Sequence, residues 1–418
     1  MTASFTLRSV HDAFFDPVRG LSKRSQSHRP CPELSDEDWL LLNLHRVLES
    51  SPSGRGFLQE HGPRFESQPS RSNYFSSLAS ARRRDVARDV NTLLLAGAGA
   101  DAGDRLASIP ELARYRCFAT DGHWHGPAAH DPRGDSGSRP AVGHFYALNL
   151  HNHLLRHLAA AEVPHEHDMS VLKRLTPRGL KEGVPKGTRM LAVHDRGGID
   201  FKFWGRCRRE CALYFLSRVK EGMVFEHLAD RDYDHADPRN RGVVADRRIL
   251  TRDGLELRVV VYVEPASGKE YQFLTSDLDL PPGVLAELYR RRWEIEKVFD
   301  EVKNKLSERR AWATSLEAKE AQGHLVAIAH NLMVLYRNRL EGGTGVGDGA
   351  EDARRAARSG AMERAANEAG RAASSLVLAL RGATQCSVKL VRWLRHALRH
   401  GLTEEAAVPR LANLMSTS

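Results

Sequence analysis

Residues 285–303 read LAELYRRRWEIEKVFDEVK, from Leu285 to Lys303, and a helical projection of this stretch decides the architecture. At about 100° per residue, Leu288, Ile295, Phe299, Val302 and Leu306 fall in one arc, an apolar stripe to be buried. With Tyr289 at zero, Arg292, Glu296 and Lys303 fall near ~300°, ~340° and ~320°. These four polar residues share a narrow strip along one edge of the stripe, whereas Glu294, Lys297 and Glu301 point elsewhere. An anionic residue flanked by three groups able to hold phosphates, at the rim of a core, suits a metal site facing a nucleic-acid backbone. An ordinary amphipathic helix with charged flanks has the same pattern, so the helix alone leaves both readings open.

Upstream, short strand-like runs alternate with helical ones. Tyr115 to Thr120 ends at Asp121-Gly122, Phe145 to Leu148 is a second run, and Arg189 to His194 is a third that ends at Asp195. Tyr214 to Leu216 continues the series, and helical stretches between the runs, such as Leu150–Ala161, make this a mixed α/β region. A parallel or mixed sheet delivers strand-end side chains to one edge, which would bring Asp121 and Asp195 together. From about Met223 to Ser276 strands dominate. Leu255, Leu257, Val259, Val261 and Val263 alternate with Glu256 and Arg258 opposite them, as in a half-buried strand, with turns at Asp253-Gly254 and Ser267-Gly268. This is a β-rich insertion. After Pro281-Pro282-Gly283 one long helix is expected, then an apolar helix over roughly Ala321–Tyr336.

The flanks read as helical. Ser35-Asp36-Glu37-Asp38 before Trp39 is a capping box, Ser51 to Ser72 is linker-like, and a helix from about Asn73 to Leu95 carries Arg82, Arg83, Arg84 and Arg88. That arginine run suits either a solvated face or a phosphate-contacting surface. Glu341 to Ser375 is a Gly/Ala/Arg-rich linker, and a basic helix over Val388–His400 ends at Gly401. The chain thus divides into a helical, DNA-binding region at 1–110, an α/β region at 111–340 with its insertion at about 221–276, and a linker and helical region at 341–418.

The 418 residues carry 62 Lys and Arg against 53 Asp and Glu, a net charge of +9, and the pI is about 9.4. That surplus favours an anionic partner. No apolar run is long enough to span a membrane and no secretory signal is visible, while the scattered cysteines (Cys31, Cys117, Cys207, Cys211, Cys386) suit reduced thiols. The expected location is the cytoplasm.

A hard divalent ion takes oxygen ligands, often one or two carboxylates with water and phosphate, and two such ions can activate the attacking oxygen and stabilise the leaving oxygen of an in-line displacement. Asp121, Asp195 and Glu296, with Tyr289-x2-Arg292-x3-Glu296-x6-Lys303, resemble the acidic triad and Tyr-Arg-Glu-Lys signature of insertion-sequence-four-type DDE transposases. Phe273-Leu274-Thr275-Ser276, Trp293, Ile295 and Phe299 agree, and the resemblance covers about Ser70 to Tyr336. It implies a ribonuclease-H-like mixed-sheet core interrupted by a β-rich insertion between the second Asp and the Glu. Asp121, Asp195 and Glu296 would then be the catalytic residues, ligating two Mg²⁺ or Mn²⁺ ions. Tyr289, Arg292 and Lys303 would contact phosphates, and Trp293 would stack or pack beside them. The implied reaction is hydrolysis at a transposon end followed by attack of the freed 3′-hydroxyl on target DNA. The implied partners are terminal inverted repeats, target DNA and a second copy of the chain in a paired-end complex. A silent DNA-binding descendant that represses transposition, and a metal-dependent nuclease without strand transfer, are the alternatives.

Other patterns carry less. His123-x-His125 and His165-x-His167 could ligate zinc but read by default as polar loop histidines. Cys207-x3-Cys211 lacks a second ligand pair, and Asp230-x-Asp232-x-Asp234 has His235 where a calcium loop requires Gly.

Overall fold

The computed structural model describes residues 8–49, 53–64, 70–134, 137–163, 166–304, 306, 310–344 and 388–416. His165, Cys386 and nearly all of the Glu341–Ser375 tract lie outside these residues. The chain forms two compact units, one of Gly103–Phe299 with Arg310–Ala327, the other of Met1–Ala102, Asp300–Arg309 and Ile328–Ser418.

The first unit is mixed α/β. Its strands are β1 (Tyr115–His125), β2 (Val142–Asn149), β3 (Leu155–Ala160), β4 (Arg189–Val193), β5 (Leu213–Arg218), β6 (Glu226–Asp230), β7 (Val243–Leu250), β8 (Glu256–Val263) and β9 (Glu270–Thr275). They form one sheet in the order β3-β2-β1-β4-β5-β9-β8-β7-β6. The β1–β4 and β4–β5 pairs are parallel and every other pair is antiparallel. The first five strands have the pairing a ribonuclease-H-like core calls for. The insertion, β6 to β9, does not make a sheet of its own; it continues the core sheet through the β5–β9 pair.

Three local expectations change. The stretch expected as a helix over Leu150–Ala161 is a tight turn and strand β3. His153 takes the left-handed region (φ 62°), and β3 pairs with β2 from Leu148↔Leu155 to His144↔Ala160. The alternation of β3 was hidden because its inward residue His157 reads as polar, yet it is buried. Arg258 of β8 is likewise inward, not solvated: its guanidinium, 1% exposed, donates to both carboxylate oxygens of Asp246, each at 2.6–2.7 Å. Pairing with a carboxylate is what lets the charge be buried.

His123 and His125 are buried on β1 and are not loop histidines. The His125 ring stacks on His144 (4.6 Å), His144 Nδ1 lies 3.1 Å from His157 Nε2, and His157 meets His324 edge-on (4.7 Å). Burial pushes the His125 and His157 imidazoles down to about 3 and lowers His144 well below the usual range, so these three are neutral at pH 7.

The second unit is helical. It contains α1 (Val10–Phe15), α2 (Asp36–Leu48), α3 (Gly54–His61), α4 (Arg71–Leu78) and α5 (Ala81–Gly97). Ser35 caps α2 as its sequence predicts, accepting from the Asp38 amide. The helix expected over Asn73–Leu95 is two helices, because Ser80 caps a new start by accepting from the Arg83 amide. Helix α3 lies inside the stretch read as linker.

In the α/β unit, α6 (Asp168–Arg174), α7 (Pro177–Leu180) and α8 (Phe201–Cys211) connect the core strands. Met190, Ala192, Phe203, Trp204, Leu213, Phe215, Leu257 and Leu274 share one core. The long helix expected after Gly283 is broken into α9 (Pro282–Arg291) and α10 (Trp293–Asn304). Helix α11 (Leu316–Thr344) follows, and the C-terminal helices are α12 (388–399) and α13 (Glu404–Ser416). The unit boundary falls within α10 and again within α11. Among the described residues no helix is long and apolar enough to cross a membrane.

Candidate active site

Asp121 does not end its strand, as its Asp-Gly neighbour suggested; β1 runs on to His125, paired with β2. What ends near it is the parallel pairing of β1 with β4, at Ala119↔Val193. Asp121 and Asp195 each stand two residues past that last pair, where two parallel strands diverge. Both line one small cavity.

Asp195 is fixed by its own loop. Its Oδ1 accepts from the Gly197 amide at 2.7 Å, and its carbonyl accepts from Ser217 Oγ of β5 at 2.8 Å. His194 Nδ1 is 2.9 Å from that same carbonyl. A carbonyl only accepts, so Nδ1 carries the proton and neutral His194 has its lone pair at Nε2. Gly198 lets this turn close against the ring: a Cβ there would sit 2.6 Å from His194 Nδ1. The Trp204 indole stacks on His194 at 5.0 Å and donates to the Gly198 carbonyl at 2.7 Å.

The approach of α9 also depends on glycine. A Cβ at Gly283 would lie 2.0 Å from the Arg239 carbonyl, and the Gly283 amide donates to Asn240 Oδ1 at 2.9 Å. Val284, Leu285 and Leu288 are buried, as are Ile295, Phe299, Val302 and Leu306 of the projected stripe. Phe299 stacks on His123 at 5.0 Å, which ties α10 to β1.

The break between α9 and α10 falls at Arg292. The Arg292 amide donates to the Tyr289 carbonyl, and the Ile295 amide donates to the Arg292 carbonyl, both with three-residue spacing. This tightened turn carries the Arg292 side chain inward, where it is 5% exposed. Its Nη2 donates to Glu296 Oε1 at 2.8 Å, and its Nη1 lies 3.4 Å from Asp121 Oδ2. One guanidinium therefore joins two of the three predicted carboxylates, and it rests over Trp293 at 4.9 Å.

The remaining predicted residues are placed as follows. Tyr289 is buried against Phe273 (5.0 Å). Trp293 is 55% exposed, and Lys303 is exposed further along α10.

The electrostatics are lopsided. Burial is the largest cause that pushes Asp121 up, to about 7, and the charges of Asp195 and Asp168 add to it against the opposing pull of Arg292 and the Gly122 amide. Asp168 is itself raised, by burial and then by Asp195. Among the described residues no group of three or more His, Cys, Asp or Glu side chains is placed to hold a metal ion. The donor set still fits a hard divalent ion: carboxylate oxygens, excess negative charge in a desolvated place, and room for water and phosphate ligands.

Beside Asp195 opens a cavity of about 880 Å³. Arg196, Arg218, Lys269, Tyr271, Tyr289 and Trp293 are among its walls. Arg218 and Lys269 flank the Tyr271 ring at 4.9 and 5.4 Å. Sequence reading missed this trio, which comes from the end of β5 and from the residues just after the Ser267-Gly268 turn; only the pairing of β5 with β9 assembles it.

A family model described as the transposase DDE domain matches residues 117–332, a span that holds Asp121, Asp195, Tyr289, Arg292, Glu296 and Lys303. The chain is also 29% identical over 154 residues to a Synechocystis sp. protein designated a transposase for insertion sequence element IS4SA. That alignment covers 37% of this chain and 43% of the relative's length.

Proposed function

We propose a reaction for this chain, which belongs to the transposase DDE domain family: hydrolysis of DNA at the ends of a mobile element, then joining of those ends to target DNA. The observation that carries this reading is the placement of Asp121 and Asp195 on one cavity with Glu296 tied to Asp121 through Arg292. Mg²⁺ or Mn²⁺ held by Asp121, Asp195 and Glu296 would supply charge to activate the attacking oxygen and neutralise the leaving one.

In the first step water adds to phosphorus and the P–O3′ bond breaks, leaving a 3′-hydroxyl and a 5′-phosphate. In the second, that hydroxyl attacks a target phosphodiester, loses its proton, and releases a new 3′-hydroxyl. The chain's own residues position these steps. The turn through Gly197 and Gly198 holds Asp195, and Arg292 keeps Asp121 and Glu296 facing each other. Arg292 is the cation poised to pass from the carboxylates to an incoming phosphate. Tyr289, Trp293 and Lys303 are proposed to meet DNA, with Arg196, Arg218 and Lys269 adding charge along the large cavity. A second copy of the chain is proposed to hold the other end.

The test is strand cleavage and joining on an end-bearing duplex with Mg²⁺ or Mn²⁺. Asp195→Ala and Glu296→Ala should each abolish cleavage while DNA binding survives, and cleavage retained in both overturns the assignment. Joining of pre-cut ends separates a transposase from a nuclease.

A further inference from the structure

Among the described residues, two that carry a Cβ take the left-handed backbone region, Ala212 (φ 49°) and His153 (φ 62°). Ala212 has an ordinary reason: it ends α8, where its amide donates back to the Arg208 and Cys207 carbonyls. His153 closes the β2–β3 turn, where glycine or asparagine meets the same φ at less cost. The turn is held without the His153 side chain. The Asn149 amide donates to the Leu154 carbonyl at 2.9 Å, and the His153 amide to the Asn149 carbonyl at 2.7 Å. Asn149 Oδ1 accepts from the His151 amide at 2.9 Å, and Asn152 Oδ1 from the Leu154 amide at 3.1 Å. The turn needs a left-handed residue here, but it does not need an imidazole.

The imidazole reaches α10 instead. Its Nε2 lies 3.0 Å from Glu294 Oε2, and the two side chains are 14% and 20% exposed. A carboxylate accepts, so Nε2 carries the proton. Glu294 and Glu296 both lie in the first turn of α10. Two residues along a helix are a rotation of about 200°, so Glu294 projects from the side of α10 away from Glu296. The other end of the tie is anchored to the strand that bears Asp121, because the Leu150 amide donates to the Cys117 carbonyl of β1 at 2.9 Å. The β1 strand and the start of α10 are thus joined twice, through Arg292 on one side and through His153 and Glu294 on the other.

We propose that His153 and Glu294 are positioning residues for the reaction, a latch that fixes the start of α10 against the Asp121 strand. This rests on reading Asp121 and Glu296 as active-site carboxylates, and it supplies what keeps their spacing when DNA arrives. As Arg292 turns to an incoming phosphate, its tie to Glu296 and Asp121 opens. The His153–Glu294 bond on the far side then holds the Glu296 backbone in place. A residue kept in a costly conformation by a contact outside its own turn is the form such a device takes.

The experiment is cleavage of an end-bearing duplex by the full chain with Mg²⁺, for the wild type, His153→Asn, Glu294→Ala, Glu294→Gln and the His153→Asn/Glu294→Ala double variant. The readouts are the rate at saturating DNA, the DNA concentration giving half that rate, melting temperature, and amide hydrogen exchange along α10. Asparagine keeps the left-handed turn but is too short to reach Glu294. His153→Asn should therefore hold its melting temperature, lose about tenfold or more in rate, and change the half-saturating DNA concentration by less than about twofold. Its α10 amides should exchange faster than those of the wild type. Glu294→Gln, whose side-chain oxygen still accepts the bond, should keep most of the rate. Glu294→Ala should match His153→Asn, and the double variant should lose no more than either. Full rate in His153→Asn with wild-type exchange along α10 overturns the latch and leaves the reaction reading standing. A melting temperature that falls with the rate, with Glu294→Gln as slow as Glu294→Ala, overturns it too, because the pair would then be ordinary architecture. A wild type that cleaves no DNA overturns the reaction reading and the latch with it.

Discussion

Two arginine triplets stand in this chain, Arg82-Arg83-Arg84 on α5 and Arg290-Arg291-Arg292 at the α9–α10 break, and they are spent differently. In the first, Arg82 donates to Asp36 Oδ2 at 2.8 Å, Arg83 is buried and donates to the Leu34 carbonyl at 2.7 Å, and Arg84 holds Asp85 at 3.0 Å. Arg82 and Arg83 thus bind α5 to the start of α2 and are not a solvated face, while Arg84 pairs within α5. In the second, Arg290 and Arg291 share Glu287, and Arg292 spans Asp121 and Glu296. The partners differ in kind. Burial would raise Asp36, but Arg82, the Arg29 amide and Arg83 hold its carboxyl below the usual range. Asp121 is pushed the other way, to about 7, because burial outweighs the one arginine that reaches it, and the charges of Asp195 and Asp168 add to the rise. A satisfied acid marks architecture, and a strained one marks a place where something else is meant to bind.

The contrast can be broken most directly at Asp36. Asp36→Ala leaves Arg82 and Arg83 facing an uncompensated site and should cost about 3–5 kcal/mol in urea unfolding. A loss under about 1 kcal/mol would make the first triplet ornamental. Arg292→Ala should instead leave unfolding within about 1 kcal/mol of wild type while cleavage falls at least ~100-fold, which is about 2.7 kcal/mol of activation free energy. A large stability loss with modest loss of rate would reassign Arg292 to architecture.

A smaller effect lies in the pH dependence of Asp36. Its folded pKa is below its unfolded value of about 3.9, so the unfolded chain binds the proton first on acidification. The stabilisation it gives is complete above that unfolded value and is lost as pH falls through the folded one. The stability gap between wild type and Asp36→Asn should therefore shrink as pH falls from 6 to 3, and a gap that widens contradicts the pairing. The smallest effects concern DNA. Lys303→Ala should weaken binding across sequences and lower the salt slope by about one, whereas Arg82→Ala should leave that slope alone. Equal slopes for both variants would remove Lys303 from phosphate contact.

Much of this was legible in local pattern. The strands Arg189–Val193 and Leu213–Arg218, the Ser35 cap, the stripe from Leu288 to Leu306 and the β-rich stretch before Pro281 all follow from periodicity and turn chemistry that neighbours in sequence control. Reading failed where a polar residue turned inward. His123, His125 and His157 look like surface residues until a sheet and α11 enclose them, and Arg258 looks solvated until Asp246 of the adjacent strand meets it.

The sequence by itself determined which side chains could do chemistry and in what order they lie: two aspartates, then a glutamate at a set spacing from Tyr289 and Arg292. It could not determine what those groups face. The helix break that turns Arg292 into the carboxylates, the parallel strand pair that sets Asp121 beside Asp195, and the reach of His153 to Glu294 are contacts between segments far apart in the chain. Spacing along a helix is a local property of backbone geometry, whereas the partner of a buried charge is decided only when the chain closes around it.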